Sequence, residues 1–271
     1  MHEPGPEAMH GAARAAIAPR PGFVVAAPHS GAGKTTSTMV LIAALRARGL
    51  RVQPFKAGPD FLDPTHLARV AGRPARTLDV TLTGERYVVE LATRALRDAD
   101  VGVVEGMMGL FDGVDGRSDR GSTAEIAALL DWPVVLVLDA SAAARSIAAV
   151  VRGFRTFSSE IRVAALLFAR VAGAGHLQML RDACAGEGVA VLGGIAADPA
   201  LRIAERHLGL HPASTLDGPD DAALARAAAA LDVDALLDVL RTQGGSADVA
   251  RTRGASRDRV GSEPPHAQRA P

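Results

Sequence analysis

Apolar residues run almost unbroken through FVVAA (23–27), RVQPF (51–55), VGVVEG (101–106), PVVLVLDA (133–140), VAALLFA (163–169) and VAVLGG (189–194). Between these runs the apolar positions recur at helical spacing, which predicts helices near 34–48, 84–98, 122–131, 142–155, 174–187 and 220–241. A strand with one wet face alternates apolar and polar residues, whereas a strand covered on both faces is apolar throughout. Such strands, separated by amphipathic helices, predict an α/β domain: a doubly wound, mostly parallel sheet with helices on both faces. The periodicity is lost before residue 21 and after residue 242. The organisation expected is therefore a disordered segment over 1–20, one domain over 21–242 and a disordered tail or linker over 243–271. No internal repeat is evident.

The first strand leads into APHSGAGKTT and then into a helical pattern beginning at Lys34. Strand, small-residue loop, then helix is the context in which a Gly-Lys-Thr sequence forms a phosphate-binding P-loop. Backbone N–H groups of the loop and of the helix N-terminus face the phosphates, the lysine reaches the β/γ oxygens, and the following hydroxyl meets Mg²⁺. The residues expected around ATP are Ser30, Gly31, Ala32, Gly33, Lys34, Thr35 and Thr36. Pro28 stands where the strict pattern has glycine, but Ser30-Gly31-Ala32-Gly33 keeps the loop small where it approaches phosphate.

Composition sharpens this. Of the 30 basic residues two are lysines, Lys34 and Lys56, and all others are arginine. A compact ammonium suits phosphoryl chemistry in a way a planar guanidinium does not. Lys56 opens KAGPDFLDP, which puts Asp60 and Asp63 within eight residues of it, on a loop expected at the C-terminal end of a strand, where doubly wound sheets place ligands. The structural alternative is an Asx turn with Asp63 capping a helix from Pro64. A third segment, EGMMGLFDG, ends a strand on Glu105 and carries Asp112 in a glycine-rich loop. Glu105 is a candidate Mg²⁺ contact, and Asp139, ending the next strand, is a weaker one.

Formal net charge is zero, so no basic field points to nucleic acid or membrane. A lone cysteine, Cys184, forms no internal disulfide and fits a reducing, cytoplasmic setting. No run approaches the roughly 18 apolar residues that cross a bilayer. Glu3 and Glu7, without an apolar core nearby, argue against a signal peptide.

Following APHSGAGKTT, the segments QPFKAGPDFLDP, VVEGMMGLFDG, GSTAEIAALL and ERHLGL (205–210) resemble, in order and spacing, the cobyrinate (hydrogenobyrinate) a,c-diamide synthases, across about residues 22–215. These are glutamine-dependent amidoligases of corrinoid biosynthesis. The resemblance implies a P-loop NTPase-type domain related to dethiobiotin synthetase, acting with ATP and Mg²⁺ on two acetate side chains of a corrin ring through acyl phosphates. It implies that Lys34 and Lys56 stabilise the migrating phosphoryl group and that Thr35, Asp60 and Glu105 hold Mg²⁺. Asp63 and Asp112 would orient metal, substrate carboxylate and ammonia, and His207 would help bind the macrocycle. The expected partners are a corrinoid polycarboxylate, an ammonia source such as a separate glutaminase, and a second copy of the chain in a homodimer.

Two departures qualify the resemblance. Members carry an asparagine in an NRV-like segment that reads the base, and here the residues are Ala169-Arg170-Val171. Members also continue into a glutaminase domain with a nucleophilic cysteine, whereas here the tail from 243 reads as a remnant linker. Cys184 lies in a helical pattern and reads as buried packing. A truncated, inactive ligase domain and a P-loop regulatory or partitioning ATPase are the alternatives. Against the second, the loop lacks an early extra lysine and the tail has no amphipathic period.

Overall fold

The computed structural model describes residues 21–203 and 218–242; the expectations for 1–20, 243–271 and His207 lie outside the described residues. The chain runs β1 (Gly22–Ala26), α1 (Lys34–Ala47), β2 (Val52–Ala57), α2 (Asp63–Ala71), β3 (Arg76–Leu78), α3 (Val80–Thr83), α4 (Glu85–Ala95) and β4 (Val101–Glu105). It continues through α5 (Thr123–Leu130), β5 (Val134–Asp139), α6 (Ile147–Thr156), β6 (Val163–Val171), α7 (Ala174–Cys184), β7 (Ala190–Ala196), a 3₁₀ turn at Pro199–Leu201, α8 (Asp221–Ala229) and α9 (Val233–Arg241).

The strands form one sheet in the order β3-β2-β4-β1-β5-β6-β7, every pairing parallel. Alternate residues of each strand feed two cores. Phe23, Val25, Val103, Val135 and Leu167 pack toward α1, α2, α8 and α9. Val24, Ala26, Val104, Leu136 and Phe168 pack toward α4, α5, α6 and α7. Burial on both faces is why these strands read as continuous apolar runs. From β1 the chain moves to one side of the sheet through β2 and β3, returns as β4, and then crosses to β5. The crevice at the C-terminal end of β1, between β4 and β5, is therefore where the strand order reverses and where an α/β sheet opens to a ligand.

Several boundaries depart from the sequence pattern. β2 runs on through Lys56 and Ala57, so Lys56 is a buried strand residue and not a loop residue. The predicted helix at 142–155 starts at Ile147, and 220–241 is two helices, broken where Asp232 accepts a hydrogen bond from Ala235 N at 2.9 Å and caps α9. β3 and α3 are additional elements, and α2 is the helix from Pro64 that the sequence offered only as the structural alternative for Asp63.

Candidate active site

The P-loop is set by backbone conformation. Gly31 and Gly33 have φ of 78° and 95°, left-handed values that a glycine adopts without strain. Gly33 is also the N-cap of α1, and no side chain caps that helix. The first-turn N–H groups of a 14-residue helix thus face the crevice uncapped, a ready anion site. Lys34 crosses the loop and donates to His29 O at 3.2 Å and to Met108 O at 2.5 Å. Its pKa is lowered, first by burial and then by the charge of Lys56.

Beneath the loop lies a compact polar cluster. Thr35 Oγ1 donates to Glu105 Oε1 at 2.7 Å, and Lys56 Nζ donates to the same oxygen at 3.0 Å and to Asp63 Oδ2 at 2.8 Å. Lys56 also stands 3.8 Å from Asp60 Oδ2. The parallel register places Lys56 directly beside Glu105 on β2 and β4, which is why two charges far apart in sequence meet. Glu105 is fully buried, and burial raises its pKa against the opposing charge of Lys56. Burial also pulls Lys56 down, but the Glu105 and Asp63 charges outweigh it and leave its pKa raised.

Glu105 Oε2 is buried with no hydrogen-bond partner. An orphaned carboxylate oxygen beside a threonine hydroxyl fits one face of a Mg²⁺ shell, with water and phosphate completing it. Among the described residues no group of three or more His, Cys, Asp or Glu side chains is placed to hold a metal ion by itself.

The other predicted residues divide. Asp63 joins the cluster through Lys56, as the first residue of α2. Asp63 does not cap α2, which has Leu62 at its N-cap with no side-chain cap; Asp60 makes the Asx turn ahead of it, its Oδ1 accepting from Leu62 N at 2.8 Å and Asp63 N at 3.1 Å, while Oδ2 faces Lys56. Asp112 Oδ2 accepts from Gly109 N at 2.8 Å and closes its own loop. That loop is stitched to the P-loop by Leu110 N donating to Ala27 O at 2.9 Å. Ser30 and Gly31 are exposed, Ala32 is buried, and Thr36 is half-buried. Ala169 is buried against the loop: a Cβ on Gly33 would lie 3.1 Å from its methyl.

Two features were beyond sequence reasoning. The first is the Met108 carbonyl that receives Lys34, since a main-chain acceptor has no sequence signature. The second is the fork from Arg170 to Asp139, with Nε and Nη2 at 3.0 and 2.6 Å. Asp139, an expected weak metal candidate, is instead paired with this guanidinium, which holds its carboxyl below the usual carboxylate range.

A parallel doubly wound sheet with a phosphate loop at its switch point, a crossing lysine and a hydroxyl–carboxylate pair defines a P-loop nucleotide-binding domain. The chain belongs to the CobQ/CobB/MinD/ParA nucleotide binding domain family (CbiA), matched over residues 23–210. It is 50% identical over 190 residues to hydrogenobyrinate a,c-diamide synthase of Mycobacterium tuberculosis, covering 69% of this chain and 42% of that protein. It is 45% identical over 194 residues to cobyrinate a,c-diamide synthase of a Synechococcus species, covering 72% and 42%. The corresponding hydrogenobyrinate enzyme of Streptomyces coelicolor is 44% identical over 228 residues, covering 83% and 47%. The chain thus spans less than half the length of these curated relatives. Among solved structures, the signal recognition particle receptor FtsY of Elizabethkingia anophelis with GDP is similar at 18% identity and a TM-score of 0.49, over 67% of this chain and 58% of that one. No helix among the described residues is long and apolar enough to cross a membrane.

Proposed function

We propose that this chain is the ATP-dependent amidating unit, over residues 21–242, for the a- and c-acetate carboxylates of cobyrinic or hydrogenobyrinic acid. The observation that carries the reading is the meeting of Thr35, Glu105, Lys56 and Asp63 beneath an uncapped helix N-terminus, in a chain whose relatives are named for that activity.

A carboxylate resists attack by ammonia because its leaving group would be an oxide. Phosphorylation removes that obstacle: one carboxylate oxygen attacks the γ-phosphorus, the bond to ADP breaks, and an acyl phosphate forms. Ammonia then adds to the carbonyl carbon, gives up a proton, and expels phosphate carrying the original carboxylate oxygen. In this scheme the N–H groups at the start of α1 hold the β-phosphate, and Lys34 leaves the Met108 carbonyl to meet the migrating phosphoryl group. Thr35 and Glu105, with Asp60 beyond, would hold Mg²⁺, which supplies neutralisation of phosphate charge. Lys56 is held by Asp63 and Glu105 facing the transferring group, and Asp63 and Asp112 orient the acceptor carboxylate and the nucleophile. The nitrogen comes from free ammonium or from a glutaminase partner.

The test is incubation with ATP, ammonium and cobyrinic or hydrogenobyrinic acid carrying ¹⁸O in its carboxylates, read by mass spectrometry. The expected result is amide formation with one ¹⁸O delivered to inorganic phosphate per amide. Label in AMP overturns the acyl phosphate, and ATP binding with no amide overturns the active ligase in favour of the inactive ligase domain or the nucleotide-switched ATPase. Lys34→Ala should weaken ATP binding by roughly 2–4 kcal/mol, the usual loss of a partner to a charged group.

A further inference from the structure

Arg170 occupies an unusual place. It is a non-glycine residue with φ of 58°, and it sits at a break in register where β6 passes from Ala169↔Ile195 to Val171↔Ala196. A bulge of this kind leaves one residue unpaired and redirects its side chain. The redirected guanidinium bridges two segments: Nε and Nη2 fork onto Asp139 at the end of β5, and Nη2 also donates to Gly31 O of the P-loop at 2.9 Å. Asp139 is itself fixed by Ser141 N, which donates to it at 3.0 Å. A left-handed arginine costs backbone energy, and such strain persists where the surroundings enforce it.

We propose that Arg170 is a positioning residue for the phosphate loop, acting through the Gly31–Ala32 peptide. In a trans peptide the N–H points opposite to the C=O. Tying Gly31 O to Arg170, on the β6 side, turns the Ala32 N–H the other way, into the loop where phosphate binds. Gly31 has φ of 78° and a Cβ placed on it would meet nothing within 4 Å, so no side chain of its own limits the rotation of its peptide. The guanidinium supplies that restraint before any nucleotide arrives. It also polarises the peptide, which strengthens the N–H as a donor. Asp139 keeps the arginine in place, so the pair works as a strut between the sheet and the loop.

The inference rests on reading the loop as a triphosphate cradle, and its test uses inorganic pyrophosphate, whose binding does not depend on amidation. Arg170→Gly removes the side chain while tolerating the positive φ. Its affinity for pyrophosphate and ATP should fall on the order of tenfold, with melting temperature close to that of Arg170→Lys. Arg170→Lys, which keeps one charged donor, should recover part of the loss. In the nucleotide-free chain, amide exchange at Ala32 should quicken in Arg170→Gly. Asp139→Asn, which weakens the strut without touching the loop, should show a smaller loss of the same kind and serves if Arg170→Gly does not fold. Unchanged pyrophosphate affinity in the variants, or a lysine variant no better than glycine, overturns the proposal. A wild-type chain that binds pyrophosphate but makes no amide sinks the amidation reading and leaves the strut standing.

Discussion

Thr35 Oγ1 donates to Glu105 Oε1 across 2.7 Å, although the two residues lie on different elements, at the start of α1 and the end of β4. The contact joins the nucleotide loop to the acid that the same cluster shares with Lys56. It leaves Glu105 Oε2 buried and without a partner. A buried acceptor in that state is costly unless something positive meets it during function.

Glu105→Gln is therefore expected to act on metal dependence, not on folding. The amide still accepts from Thr35 and Lys56, and Lys56 retains Asp63 at 2.8 Å. ATP affinity measured by calorimetry with and without Mg²⁺ should lose its Mg²⁺-dependent increment, while the melting temperature stays near wild type. A variant that melts many degrees lower and still responds to Mg²⁺ would assign Glu105 to structure alone.

Lys56→Met should behave differently. It leaves a fully buried carboxylate without its nearest counter-charge, a class of change that costs about 3–5 kcal/mol. The pH dependence follows from Glu105, whose pKa burial already raises above 4.5. The folded chain keeps that proton longer than the unfolded chain, so stability falls as pH rises from 4.5 through the folded value. Removing Lys56 raises the folded value further and extends this window upward. Lys56 itself is raised from 10.5 and stays charged across it. The deficit in melting temperature should be small at about pH 5 and larger at about pH 8. Adding Glu105→Gln should restore much of it, and a deficit independent of pH would refute the linkage.

These contrasts show how much of the site was legible. The strands were, because burial on both faces writes itself as unbroken apolar runs, and so was the loop, because Gly33, Lys34 and Thr35 serve one chemistry at one spacing. Lys56 and Glu105 stood out in the sequence as charged residues near strand ends, but not as neighbours. A charged residue followed by Gly58 and Pro59 reads as the start of a loop, and only pairing with β4 carries β2 through Lys56. β3 was missed because three residues, two of them Arg76 and Thr77, carry no period. Arg170 was opaque for a deeper reason: a bulge and a positive φ are set by partners on β5, β7 and the loop, none of them adjacent in sequence.

Ala169 leads to a prediction about the base. Its methyl is buried against Gly33 and offers no hydrogen bond. A site that lacks a polar reader leaves no unpaired group to penalise the wrong base. Dissociation constants for ATP and GTP should lie within about tenfold of each other. A preference of a hundredfold or more for ATP would mean that backbone groups elsewhere read the base.

The source of nitrogen can be tested on the sole cysteine. Glutamine hydrolysis through a thiol needs a thiolate, exposed and activated by a neighbouring base. Cys184 has the opposite setting: it is the last residue of α7, is 1% exposed, and belongs to the same apolar core as Leu180 and Val151. Burial pushes its thiol pKa up, and the negative charge of Glu187 pushes it further. No strand-to-helix elbow presents it to solvent. The 271-residue chain should release no glutamate from glutamine, while amidation, where it occurs, should respond to ammonium. The measurement is glutamate release by the purified chain alongside ammonium-dependent and glutamine-dependent amidation. Release that survives Cys184→Ser marks a contaminant, whereas release abolished by that substitution in a chain that still melts normally would make Cys184 the nucleophile and overturn the argument from burial.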